Sequence, residues 1–192
     1  MRKKLFALAI IVICAAVAAM GTYAYFTTSE TATNIITTGS ISIRLLDQTR
    51  QDGALADFPR EGLSGVMPGQ PVSKIVSVRN TGDSAAWVRI KVQTQITSDG
   101  KDLPIRLPGT TEPVLTFSVL DGWLDGGNGY YYYQTPVEPG KETTNLFETV
   151  HFSPKADNTY QGCTVNLIVS AQAVQKAHNG DTVIEAVGWP MD

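Results

Sequence analysis

Ala86-Trp87-Val88-Arg89-Ile90-Lys91-Val92-Gln93-Thr94-Gln95-Ile96 alternates apolar and polar side chains, with Val88, Ile90, Val92 and Ile96 on one parity and Arg89, Lys91, Gln93 and Gln95 on the other. A helix face would repeat every three to four residues; period two marks a strand with one buried face. Cys163 to Ala173 repeats the pattern, with Val165, Leu167, Val169 and Ala171 opposite Thr164, Asn166, Ser170 and Gln172. The same reading predicts strands over Ser40–Leu46, Val72–Arg79, Leu115–Leu120, Tyr130–Gln134 and Leu146–Phe152, at least seven in all. Between them stand Met67-Pro68-Gly69-Gln70, Asn80-Thr81-Gly82-Asp83, Ser98-Asp99-Gly100-Lys101, Leu107-Pro108-Gly109, Asp125-Gly126-Gly127-Asn128-Gly129 and Glu138-Pro139-Gly140-Lys141. Proline presets φ for a turn and glycine supplies the positive φ that follows, so each block can reverse the chain. Short strands so punctuated predict an all-β fold, an antiparallel β-sandwich of jelly-roll type. Weak helix signals at Gly53–Phe58 and Thr182–Val187 add short helical insertions.

The start of the chain has a different character. Arg2, Lys3 and Lys4 precede an apolar run from Leu5 to Met20, shorter than the roughly 20 residues that span a bilayer comfortably. This is the pattern of an export signal, and the chain is expected to be exported. Small residues also offer cleavage after Ala24, in Thr22-Tyr23-Ala24, or after Ala18, in Ala16-Val17-Ala18. Cys14 is not a lipidation site, because Ile13 stands where a small residue is needed, and it reads as a small hydrophobe. Cys163 is then the one cysteine of the mature chain, which excludes an intramolecular disulfide. Removing the signal takes away three positive charges and no negative ones, moving the formal net charge from −3 to −6. That balance argues against nucleic acid and against anionic surfaces, and leaves membrane contact only through the signal before cleavage. The mature chain is one domain's worth: residues 26–38 form an N-terminal segment and residues 39–192 the sandwich.

The junction Gly21-Thr22-Tyr23-Ala24-Tyr25-Phe26-Thr27-Thr28-Ser29-Glu30-Thr31, followed by Thr38-Gly39-Ser40-Ile41-Ser42-Ile43, resembles that of the TasA, CalY and camelysin group of Gram-positive exported proteins. The blocks Met67-Pro68-Gly69-Gln70-Pro71-Val72, Val78-Arg79-Asn80-Thr81-Gly82-Asp83 and Tyr160-Gln161-Gly162 leading into Val165 to Gln175 look like the family's later turns and final strand. The stretch Asp121 to Leu146 departs from TasA itself. The resemblance implies processing by a SipW-type signal peptidase at or near the Tyr25–Phe26 bond, with Ala24, Tyr25 and Phe26 forming the cleavage region, so that residues 1–25 are the signal peptide and the expected location is secreted, in an extracellular matrix or at the cell surface. It also implies a biofilm matrix fibre in which the freed segment from Phe26 to Thr38, with Ile35 and Ile36 as its apolar residues, completes the sheet of a neighbouring subunit or a related matrix subunit. Backbone hydrogen bonds would give that contact affinity and alternate side chains its register.

Camelysin-type relatives are described as metalloendopeptidases, and a zinc site of that kind needs a His-Glu-x-x-His motif on a helix. Glu148-Thr149-Val150-His151 is half of a His-Glu-x-x-His motif, but Phe147 stands where the first histidine belongs, and the segment reads as a strand on which Glu148 and His151 oppose each other. The other histidine, His178, has no such neighbours in sequence. There is no Gly-x-Ser-x-Gly elbow, and Cys163 shares a parity with Val165 and Leu167, where a thiol is inert. Asp125 to Gly129 lacks the further oxygen ligands of a calcium loop and reads as a hairpin. No cofactor, metal or catalytic role is therefore expected. Tyr130, Tyr131, Tyr132 and Tyr133 place two rings on each face of a strand, and with Trp123 nearby the outer pair can serve as an interaction surface. The expectation is an exported structural subunit of a matrix or surface fibre; the alternative is a monomeric surface-binding module built on those aromatics, and a camelysin-like protease ranks last.

Overall fold

A computed structural model describes residues 41–59, 68–98 and 100–191, and these form two antiparallel sheets curled over one another like a sandwich. The strands are β1 (Ile43–Gln51), β2 (Ala54–Asp57), β3 (Pro71–Asn80), β4 (Ala86–Ser98), β5 (Lys101–Leu103), β6 (Leu115–Phe117), β7 (Trp123–Asp125), β8 (Tyr130–Tyr133), β9 (Phe147–Phe152) and β10 (Thr164–Gln175). One sheet runs β2-β1-β3-β9-β6; the other runs β10-β4-β8-β7, with β5 paired to the far end of β4. Each of the seven predicted strands has its counterpart, within a few residues at the ends.

The main core lies between the sheets. Ile43, Val76, Val78, Phe147 and Val150 come from one side and Val88, Ile90, Trp123, Ala171 and Ala173 from the other. A second cluster, Ile96, Leu107, Val114, Phe152 and Tyr160, closes one end of the sandwich. The third lies on the outer face of the second sheet, where the segment after β10 folds back so that Val183 and Ala186 cover Trp87 and Val174. Trp87 Nε1 donates to the Asn179 carbonyl at 2.8 Å, which satisfies the one polar atom of an otherwise apolar ring.

Both helical expectations are corrected. Residues 53–58 belong to a hairpin: Gln51 pairs with Ala54, and the two residues between them, Asp52 and Gly53, have φ of 51° and 84°. Asp-Gly tolerates positive φ at both positions of a tight turn, which matches the twist of the flanking strands and reverses the chain at once. Residues 182–187 make a single turn closed by Glu185 N–H on the Thr182 carbonyl. One hydrogen-bonded turn fixes several dihedrals for little return, and Gly188, with φ of 79°, leads the chain out of it. The only helical element among the described residues is a 3-10 turn, Asn158–Tyr160, capped by the Asp157 side chain accepting from Thr159 N–H.

Asn80 shows how one turn is held. Its fully buried side chain donates to the carbonyls of Ser84 at 2.8 Å and Val137 at 2.7 Å and accepts from Gly82 N–H at 2.9 Å. It thereby ties the β3–β4 turn to Val137, which bridges to Ala86 at the start of β4. Asn80→Ala should cost about 1–3 kcal/mol, because it removes three hydrogen bonds made by a fully buried side chain and leaves a cavity in their place. An unchanged denaturation midpoint would show that water replaces the amide without loss.

Candidate functional site

Among the described residues β10 ends its sheet, with β4 as its strand partner. Its twelve residues read Thr-Val-Asn-Leu-Ile-Val-Ser-Ala-Gln-Ala-Val-Gln. The other terminal strands, β2, β6 and β7, have only four, three and three residues. Sheet edges are usually protected by brevity, by charge, by proline or by a bulge, because unpaired backbone groups otherwise recruit another strand. β10 has none of these: it contains no charged residue, no proline and no glycine, and its register with β4 is continuous from Thr164↔Thr97 to Gln175↔Ala86. Val165, Leu167 and Val169 turn toward the core and Asn166 and Ile168 toward solvent, with Ile168 45% exposed.

The residues expected to fill such an edge, Phe26, Ile35 and Ile36, lie outside the described residues, as do Ala24 and Tyr25 of the cleavage region and the whole of residues 1–38.

The tyrosine run divides as strand parity requires, but it does not make an open platform. Tyr131 and Tyr133 point into the core, where Tyr131 meets Phe117 edge-on with centroids 5.7 Å apart and Tyr133 lies 5.1 Å from Trp123. Burial, with the Asp125 carboxylate as a smaller cause, pushes the Tyr131 hydroxyl above its ordinary pKa. Trp123 is only 5% exposed, and its Nε1 donates to the Thr144 carbonyl at 3.1 Å. On the outer face, Tyr130 is covered by the Arg89 guanidinium at 4.0 Å, and Tyr132 meets Trp189 at 6.2 Å. Arg89 also reaches the Trp189 ring at 4.6 Å and donates to Gln172 Oε1 at 2.8 Å. The proposed aromatic surface of Trp123 and Tyr130 to Tyr133 is thus corrected: one face is core, and the other is already occupied by Arg89 and the C-terminal segment. Trp189, far away in sequence and within reach only once the chain folds back, is the partner that strand parity could not foresee.

The remaining candidates resolve simply. Glu148 and His151 are both exposed on β9, and Glu148 accepts from Asn145 Nδ2 at 2.8 Å. Among the described residues no three His, Cys, Asp or Glu side chains form a group able to hold a metal ion. The loop from Asp125 to Gly129 joins β7 to β8, and its oxygens serve the backbone: Asp125 accepts from Gly127 N–H at 2.8 Å and Asn128 from Tyr130 N–H at 3.1 Å. Cys163 is half-buried against the end cluster, and burial pushes its thiol above the ordinary value, so the reactive thiolate is disfavoured.

One cluster escaped the sequence reading. Lys74 of β3 and Asp47 of β1 meet on the inner side of the first sheet, with Lys74 Nζ 2.7 Å from both carboxylate oxygens. The signal was present: Lys74 shares the parity of Val76 and Val78, and Asp47 that of Ile43 and Leu45, so two opposite charges stand on the apolar faces of neighbouring strands. Comparison with family models, with curated proteins and with solved structures found no match for this chain.

Proposed function

We propose that the protein is an exported structural subunit of an extracellular matrix or surface fibre, assembling by β-augmentation once its signal peptide is removed. The observation that carries this reading is the long, uncharged edge of β10. In this reading residues 26–38 of one copy lie along β10 of the next, between Thr164 and Gln172. The segment runs Phe-Thr-Thr-Ser-Glu-Thr-Ala-Thr-Asn-Ile-Ile-Thr-Thr, without proline or glycine, and is rich in residues that favour strands. Nine of its thirteen residues are enough to cover the nine from Thr164 to Gln172, about 30 Å at about 3.3 Å per residue. A donor that points away from its own domain makes a head-to-tail contact, which need not close and so builds filaments. The partners in this reading are a SipW-type signal peptidase, further copies of the chain and related matrix subunits. The role is structural, not enzymatic, and cleavage releases the donor only after export.

Negative-stain microscopy of the protein beginning at Phe26 tests the proposal, with Ile168→Lys beside it. Ile168 is half-exposed, so lysine there should leave the domain folded, yet it places a charge on the edge that the donor must cover. Burying that charge costs about 1–3 kcal/mol per contact, roughly a fivefold to 150-fold loss of subunit affinity. Dense filaments from the parent and sparse ones from the variant are expected. Monodisperse parent protein at all concentrations would refute the fibre reading and favour the monomeric surface-binding alternative.

A further inference from the structure

We propose that Lys74 and Asp47 are the two halves of an intramolecular isopeptide bond that covalently joins β1 to β3. The pair sits diagonally across the two strands, since Asp47 is paired with Val76. Lys74 Nζ lies 2.7 Å from each Asp47 oxygen, in direct hydrogen-bond contact with the carboxyl group whose carbon it would attack. The surroundings hold it there. The Lys74 side chain is only 6% exposed, and the Phe58 ring covers Nζ at 3.7 Å. Phe58 is itself fixed by its N–H on the Asp47 carbonyl at 2.9 Å, so the acid residue positions the lid over its own partner. The Asp47 side chain is 34% exposed, leaving a side from which water can depart.

The reaction balances without any further reagent. The ammonium of Lys74 passes one proton to the Asp47 carboxylate, giving a neutral amine and a carboxylic acid. The amine lone pair attacks the carboxyl carbon and a C–N bond forms. The C–O bond to the protonated oxygen then breaks, and that oxygen takes a second proton from nitrogen and leaves as water. Burial supports the first step, because desolvation outweighs the attraction of Asp47 and lowers the Lys74 pKa. The face of the Phe58 ring favours the ammonium and opposes it. For free molecules in water, amide formation from amine and acid is unfavourable. Holding the two groups in contact lowers the barrier to the step, with effective molarities of roughly 10⁵–10⁸ M for well-oriented pairs. The gain to the protein is a covalent tie in a mature chain that has a single cysteine and no disulfide available to it.

Intact-mass spectrometry of the secreted protein, with its N-terminus determined, tests the bond independently of fibre formation. The expected mass is one water below that of the sequence, and trypsin should fail to cut after Lys74 and yield instead a branched peptide joining residues 47 and 74. Lys74→Arg should restore the full mass. Asp47→Asn supplies the decisive arm: ammonia replaces water as the leaving group, so the variant should fall one ammonia below its own sequence mass and arrive at the same product as the parent. A parent at full sequence mass, with Lys74 open to trypsin, would overturn the proposal and leave the pair as a buried salt bridge.

Discussion

Protein that begins at Gly39 should fold and yet form no filaments, whereas protein beginning at Phe26 assembles. The folding half of the expectation rests on where the core starts. Ile41 and Ile43 are buried in the main cluster, and protein that begins at Gly39 keeps both. The assembly half rests on β10, whose edge would lose the strand that completes it in the neighbouring copy. The two halves separate by rescue. A synthetic peptide of residues 26–38 added to the truncated protein should bind the edge and raise its melting temperature, because a ligand at a hundred times its Kd adds about 2.7 kcal/mol to stability. It should restore no filaments, since the added strand is no longer tethered to another domain. The same peptide added to protein beginning at Phe26 should slow assembly by occupying edges. Replacing Ile36 by Pro should behave like the truncation, because proline removes a ladder donor. Filaments of normal length from the truncated protein would end the donor-strand account.

What the sequence made legible followed from local physics. Strand parity assigned the buried faces of β4 and β10 correctly because both strands are long and each has one face in the core. It missed β2, β5 and β7, which have four, three and three residues and are too short to display a period. Asp52-Gly53 carried the hairpin signal that a helix reading of the next residues overrode. Which strand would stand at the end of a sheet was not legible at all, since sheet order is set by long-range pairing and β10 meets β4 across some seventy residues of chain. The occupied outer face of Tyr130 and Tyr132 was hidden for the same reason, because Arg89 and Trp189 reach those rings only in the folded chain. Lys74 and Asp47 were legible by parity and were overlooked because the strands around them read well as apolar runs.

The facing of β4 has a consequence large enough to measure directly. Ile90 is fully buried in the main cluster at the middle of the strand, with Ala171 opposite on β10 and Tyr131 on β8. Ile90→Ala removes three carbons from a site hemmed in by two paired strands, so the walls cannot collapse far and a cavity persists. The expected loss is about 2–5 kcal/mol, against under about 0.5 kcal/mol for Gln93→Ala on the exposed face. The difference between the two is the quantity that matters, because it exceeds the roughly 1 kcal/mol that strand propensity spans. The measurement is the shift in urea midpoint at constant m-value, which isolates stability from changes in the unfolded chain. Of the two sheets, the one carrying Ile90 also carries the β10 edge, so the variant makes a further demand of the assembly account. Loosening the packing beneath β10 should weaken filaments in proportion to the lost stability, whereas Gln93→Ala should leave them unchanged. Equal midpoints for the two variants would mean that β4 does not bury the face on which its alternating pattern places Ile90.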